Sequence, residues 1–310
     1  MRLVGDIFSQ ILLPILMLVG VGAGVQRALV LDLATLSRIN IYIFVPAFLF
    51  VRVYENKLSW AAIGGIAAAV VLPKIIVGSG FYLALRARRV ERRALASMVI
   101  GGVIYNAGNF GIPLAQLAYG DAGGEVQAWV VMLSNLAIWC VGYSILSWGQ
   151  GDGARAAMAG YFKLPMIYVL AAALLLRHFG LGLPRFLGYP LHAAADAMVA
   201  LGLVTLGAQL AQYAHWPKWR RVAPVVFTKL LLMPAATAAA VLLLGLWPWP
   251  GAMLIAAAAA PTAINTLLLT IELEGDAELA AHCVFWNTLL SGLSVALVLV
   301  ALRALGAGPP

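Results

Sequence analysis

Charge is what this chain has least of. Asp, Glu, Lys and Arg make up 10% of its 310 residues and apolar residues 63%, whereas a soluble domain carries about 25% charged residues. A water-soluble fold of this size would have too little polar surface to cover its core, which excludes an ordinary soluble enzyme or binding module. The two cysteines, Cys140 and Cys283, lie inside apolar runs without metal or redox spacing and read as small core residues. His178, His192, His215 and His282 are scattered, so neither a metal centre nor any other cofactor is expected. A His-Glu-x-x-His pattern is missing, as is a pair of intramembrane aspartates, which argues against an intramembrane protease. Neighbouring acids at mid-span, which a cation/proton antiporter would want, are missing too. Basic residues outnumber acidic ones 20 to 12 but sit in short loops with no contiguous basic face, so nucleic acid is not an expected partner.

What the chain has is long apolar runs, and a mean hydropathy of +0.96. A helix needs about 20 apolar residues to cross a bilayer. Ten segments approach or exceed that length: 7–26, 36–53, 60–85, 94–118, 125–148, 162–179, 191–214, 222–247, 251–271 and 278–305. The first is long enough to span and follows only a few residues, so no cleavable leader is expected. The reading is an all-α, multi-pass membrane protein with the lipid bilayer as its surroundings.

The chain also echoes itself. Val70-Val71-Leu72-Pro73-Lys74-Ile75-Ile76-Val77 and Val225-Val226-Phe227-Thr228-Lys229-Leu230-Leu231-Leu232 are 155 positions apart. The same offset carries Gly120-Asp121 onto Gly275-Asp276, and between lysine and turn each copy has an interrupted span. Five spans per half is odd, so the second half enters the membrane from the opposite side. The expectation is therefore ten transmembrane helices in an inverted 5+5 repeat, with crossed, broken fourth and ninth helices.

Lys and Arg divide twelve to six between the two sets of loops; the richer set includes Arg86, Arg88, Arg89, Arg92 and Arg93. Positive charge stays inside, which puts both termini outside the cytoplasm.

The fourth span turns polar after Tyr105, with Asn106, Gly108, Asn109, Gly111 and Pro113 at mid-span. Gly and Pro loosen a helix, and backbone groups freed in hydrocarbon must be satisfied by side chains or by a solute. The ninth span has Pro261, Thr262 and Asn265 at the matching depth. A break there exposes a half-helix N-terminus suited to an anion. Lys74 lies roughly 18–21 Å along the helix from either end of its span, too far to snorkel. Lys229 is about 12 Å from Arg221, close enough to do so. Either lysine is a candidate to replace a coupling cation or balance charge, and either could instead tie down the carbonyls of a broken helix. Asp196 is the clearest acid inside a span, a candidate partner for a lysine or for His192. Asn135 and Asn287 are expected to bond across helices. Gly20, Gly22, Gly24, Gly202 and Gly207 are expected to permit close helix packing.

On Asn106-Ala-Gly-Asn109-Phe-Gly111-Ile-Pro113, the chain resembles the auxin efflux carrier family of bacteria, fungi and plants, as a bacterial member would. Arg38-Ile-Asn-Ile-Tyr-Ile-Phe-Val-Pro46-Ala, Leu206-Gly207-Ala208 and the Pro261-Thr262 break support the resemblance, which covers the whole chain. It implies panel helices in 1–58 and 156–216, and transport helices in 59–155 and 217–310. It also implies more distant kinship with bile-acid sodium symporters and sodium/proton antiporters. The family implies transport of an organic carboxylate, auxin in plants and small dicarboxylates in bacteria. Plant members pair an acid in the third helix with a lysine in the eighth, whereas here both positions carry lysine. The expected activity is secondary active transport of a small organic anion across the inner membrane by an elevator-like movement, with apolar panel helices suited to a homodimer. A sodium-coupled bile-acid-type symporter is the alternative within transport. A channel or an intramembrane enzyme is the alternative from another class.

Overall fold

A computed structural model describes residues 2–56, 58–137, 165–212, 218–272 and 275–308. Among them every regular element is a helix. In chain order these are α1 (Val4–Leu29), α2 (Leu33–Tyr54), α3 (Trp60–Ala87), α4 (Arg92–Val103), α5 (Gly111–Ala137), α6 (Pro165–His178), α7 (Arg185–Gln212), α8 (Trp219–Leu243), α9 (Gly251–Ala258), α10 (Asn265–Glu272) and α11 (Ala277–Ala304). Six of them, α1, α2, α3, α7, α8 and α11, are long and apolar enough to cross a membrane. The end of the expected span 125–148, the start of 162–179, Cys140 and His215 lie outside the described residues.

Local chemistry sets several boundaries. Asp32 caps α2 by accepting from the Ala34 amide, Ser59 caps α3 through Ala62, and Asp276 caps α11 through Leu279. Inside α1, α2 and α8, π-helical turns run over Phe8–Leu12, Asn40–Phe44 and Thr228–Leu232. A proline, Pro14, Pro46 or Pro234, follows each at the second residue beyond. Proline cannot donate to the preceding turn, and the wide turn absorbs the defect. Two polar residues of interest, Asn40 and Lys229, lie in these turns. At Gly120 the backbone leaves helical geometry (φ 61°, ψ −148°), a conformation that only glycine adopts freely, and this splits α5 into a short first part and a longer second one.

The helices pack in two groups. In the first, α7 packs extensively on α1 and α2, and α6 packs on α2. In the second, α3, α4, α5, α8, α9, α10 and α11 contact one another. The groups meet where α5 touches α2 and α7, and where α1 touches α11. Within the first group a Cβ at Gly22 would collide with the Val204 carbonyl, and one at Gly207 with the Val19 carbonyl, so α1 and α7 touch backbone to backbone. Gly20 and Gly24 have open space beside them and do not serve that contact.

Candidate functional site

Both expected breaks are present. The segment between α4 and α5 crosses the segment between α9 and α10, and the two pair as extended chain. Tyr105 bridges Thr262 in antiparallel fashion. The Asn106 amide donates to the Pro261 carbonyl at 2.7 Å, and the Ala263 amide donates to the Ile104 carbonyl at 3.2 Å. Backbone groups that proline and glycine free from the helices are thereby satisfied by one another. Side chains complete the brace: Thr262 Oγ1 donates to the Gly101 carbonyl (2.6 Å) and Gln127 Nε2 to the Ala107 carbonyl (2.7 Å).

The two lysines converge on this crossing. Lys74 is 5% exposed and Lys229 fully buried. Lys74 Nζ donates to the Val70 carbonyl of its own helix (3.1 Å) and lies 4.0 Å from the centre of the Tyr105 ring. Lys229 Nζ donates to the Ala258 carbonyl (2.7 Å) and lies 5.1 Å from the same ring centre. Ala258 ends α9, where helical carbonyls lack partners along the helix. Snorkelling of Lys229 is thus ruled out: the broken helix offers a nearer acceptor than the membrane surface.

In front of the crossing is a cavity of 260 Å³. One wall is the first break, from Tyr105 through Asn109, joined by Ala263, Ile264 and Asn265 of the second. Facing them are Ser37, Asn40, Ile41 and Val45 of α2, Met166 of α6 and Gln209 of α7. Val131, Ser134 and Asn135 of α5, with Leu269 of α10, complete the lining. Among the described residues, no charged side chain lines it. The cavity also adjoins the starts of α5 and α10, where the helix dipoles have their positive ends; the Gly111, Ile112, Thr266 and Leu267 amides there already donate to the Asn106, Gly108, Ala263 and Ile264 carbonyls.

Of the residues singled out in the sequence, Asn106, Gly108, Asn109 and Asn265 share this cavity. Gly111, Pro113, Pro261 and Thr262 are buried behind it and shape the breaks. The lysines sit behind Tyr105 and do not line the cavity. Asp196 joins neither: it is exposed on α7, and among the described residues no group pairs with it. His192 instead faces Glu55 at 3.1 Å. Asn135 and Asn287 bond to the Val131 and Cys283 carbonyls of their own helices, one turn back, and among the described residues neither bonds across helices. Asn135 nonetheless lines the cavity.

Sequence reasoning missed Ser37, Asn40, Tyr105, Ser134 and Gln209. Asn40 had a signal, a lone amide six positions before Pro46 in an apolar span. Asn40 and Thr205 are linked by a buried hydrogen bond of 3.1 Å, which ties α2 to α7.

The profile of a family described as membrane transport protein matches residues 154–299. The chain is similar to membrane transporters. An uncharacterised transporter of Methanothermobacter thermautotrophicus is 26% identical over 287 residues, covering 87% of this chain and 89% of the relative. Another, from Methanocaldococcus jannaschii, is 24% identical over 271 residues, covering 84% and 87%. With six long apolar helices, these similarities support a multi-pass membrane transporter and favour transport over catalysis.

Proposed function

We propose that the protein is a secondary active transporter of small organic carboxylates, and that the cavity at the crossed breaks is its solute site. The observation that carries this reading is the cavity itself: amide side chains and two helix starts around an uncharged space at the crossing. Such a place favours a single negative charge, because oriented amides and helix N-termini substitute for water around an anion. Asn106, Asn109 and Asn265 hold the solute. Lys74 and Lys229, behind Tyr105, stand where a coupling cation would otherwise sit.

In this reading the chain is an inverted repeat of five spans per half. One supporting sign is that the 155-residue offset relating the lysines also relates Asn106 to Pro261, which are hydrogen-bonded to each other at the crossing. The group α1, α2, α6 and α7 is the panel, the other group is the moving body, and translocation slides the second along the first. The protein lies in the cell's inner membrane with both termini outside, and the panel supplies a homodimer contact. Labelling of a cysteine at position 89 from outside intact cells would overturn that orientation.

The test is counterflow in proteoliposomes. Preloaded unlabelled carboxylate should drive saturable uptake of labelled carboxylate, equally in sodium and potassium buffers at fixed pH. Flux that neither saturates nor shows counterflow contradicts a carrier. A strict sodium requirement contradicts the role given to the lysines.

A further inference from the structure

The cavity has two unlike polar walls, and the wall away from the breaks has no task in the reading above. On it, Asn40 Nδ2 donates to Thr205 Oγ1 (3.1 Å), and Gln209 Nε2 donates to Ser37 Oγ (3.2 Å). Each amide nitrogen spends one of its two N–H groups inside the α2–α7 pair, whereas neither amide oxygen is used there. Asn40 Oδ1 and Gln209 Oε1 are buried and have no hydrogen-bond partner among the described residues. On the wall made by the breaks, Asn106 Nδ2 is the buried atom without a partner, and it is a donor. Among the residues that line the cavity there is thus an unanswered donor on one side and unanswered acceptors on the other. Buried polar groups in folded proteins are rarely left in that condition.

Charge narrows the choice of occupant. Among the described residues, no Lys, Arg, Asp or Glu lines the cavity. A second ionised carboxylate at the α2–α7 wall would face carbonyl oxygens without a counter-charge, and an ammonium would find no carboxylate to pair with. A neutral hydroxyl meets neither objection and supplies one donor, which the two oxygens share.

We propose that the preferred solute is a small hydroxy acid with one carboxylate, whose carboxylate faces the breaks and whose hydroxyl donates to Asn40 and Gln209. This rests on the carboxylate reading above and narrows it. Asn40 and Gln209 are then the specificity-determining pair. Because they stand on the panel side, they act in the state in which the moving body faces them.

The experiment is calorimetric titration of the purified full-length protein with lactate, propanoate and malonate. Lactate and propanoate differ by the hydroxyl alone, and malonate replaces it with a second charge. Lactate should bind about tenfold more tightly than propanoate, the effect of one hydrogen bond at the upper end of the usual net range. In Gln209→Met and Asn40→Val that ratio should fall toward one while propanoate affinity holds. Melting temperature checks folding, and Gln209→Met decides alone if Asn40→Val does not accumulate. Equal binding of lactate and propanoate, tightest binding of malonate, or an unchanged ratio in folded Gln209→Met would each overturn the proposal. Binding of a larger aromatic acid but none of these three would overturn it and leave the carboxylate reading standing. Binding of no acid at all would remove both.

Discussion

In the first break the chain runs through residues 104–110 between α4 and α5, and in the second through 259–264 between α9 and α10. The lengths are nearly equal, but the side chains are put to different use. Residues 105–109 all line the cavity, and Asn106 keeps a buried amide nitrogen without a partner. In the second break the polar groups are already committed. Thr262 is bound to the Gly101 carbonyl, and the Ala258 carbonyl before it is bound to Lys229. Only Ala263, Ile264 and Asn265 reach the cavity. The two breaks therefore differ in use: the first lines the cavity, and the second braces the crossing. The lysines diverge in step. Lys74 donates to Val70, a carbonyl one turn back in its own helix, while Lys229 joins two helices.

If this contrast is right, substitutions at matching places should not match in effect. Lys229→Met should cost the most stability, about 1–3 kcal/mol, because it leaves the buried Ala258 carbonyl without a donor. Lys74→Met should cost less, since the Val70 carbonyl sits inside α3 and has the helix's own amide ladder. Melting temperatures of the two variants in the same detergent check this, and equal losses would erase the distinction between the lysines.

Asn109→Ala should weaken carboxylate binding by about tenfold, roughly 1.4 kcal/mol, with little change in melting temperature. Thr262→Val should do the reverse. It keeps the shape, removes the hydroxyl from the Gly101 carbonyl, and should lower stability by about 1 kcal/mol while affinity stays near that of the unaltered protein. Titration calorimetry and thermal melts on both proteins would sharpen the comparison, and loss of affinity in Thr262→Val would break it.

The smallest effect is expected at the turns. Asp121 is 85% exposed on its side chain and meets Arg52 at 2.7 Å, whereas Asp276 meets Arg221 at 3.2 Å and also caps α11. Asp121→Asn should change stability by less than about 1 kcal/mol, as exposed ion pairs do. Asp276→Ala should change it by about 1 kcal/mol through the lost cap. Denaturant or thermal melts would separate the two.

Composition alone made the membrane class legible, since so few charges cannot cover a soluble core. The breaks were legible because proline and glycine beside asparagine have few other uses in the middle of an apolar span. The convergence of Lys74 and Lys229 on one ring was not, since sequence spacing says nothing about which helices cross. Asn40 and Gln209 escaped notice for a related reason. Each is a single amide in an ordinary span, and it matters because the fold sets α2 and α7 opposite the breaks. Asp196 misled because an acid inside an apolar run looks as if it needs a buried partner, yet among the described residues it pairs with neither lysine and lies exposed on α7.

The central claim is that solute occupies the cavity beside Asn109. The most direct measurement is the alkylation rate of Asn109→Cys in a background where Cys140 and Cys283 are replaced by alanine. A small hydroxy acid should slow alkylation saturably, and the matching neutral alcohol should not. A rate unchanged at saturating acid, in protein that still transports it, would contradict the placement of the site at the crossing.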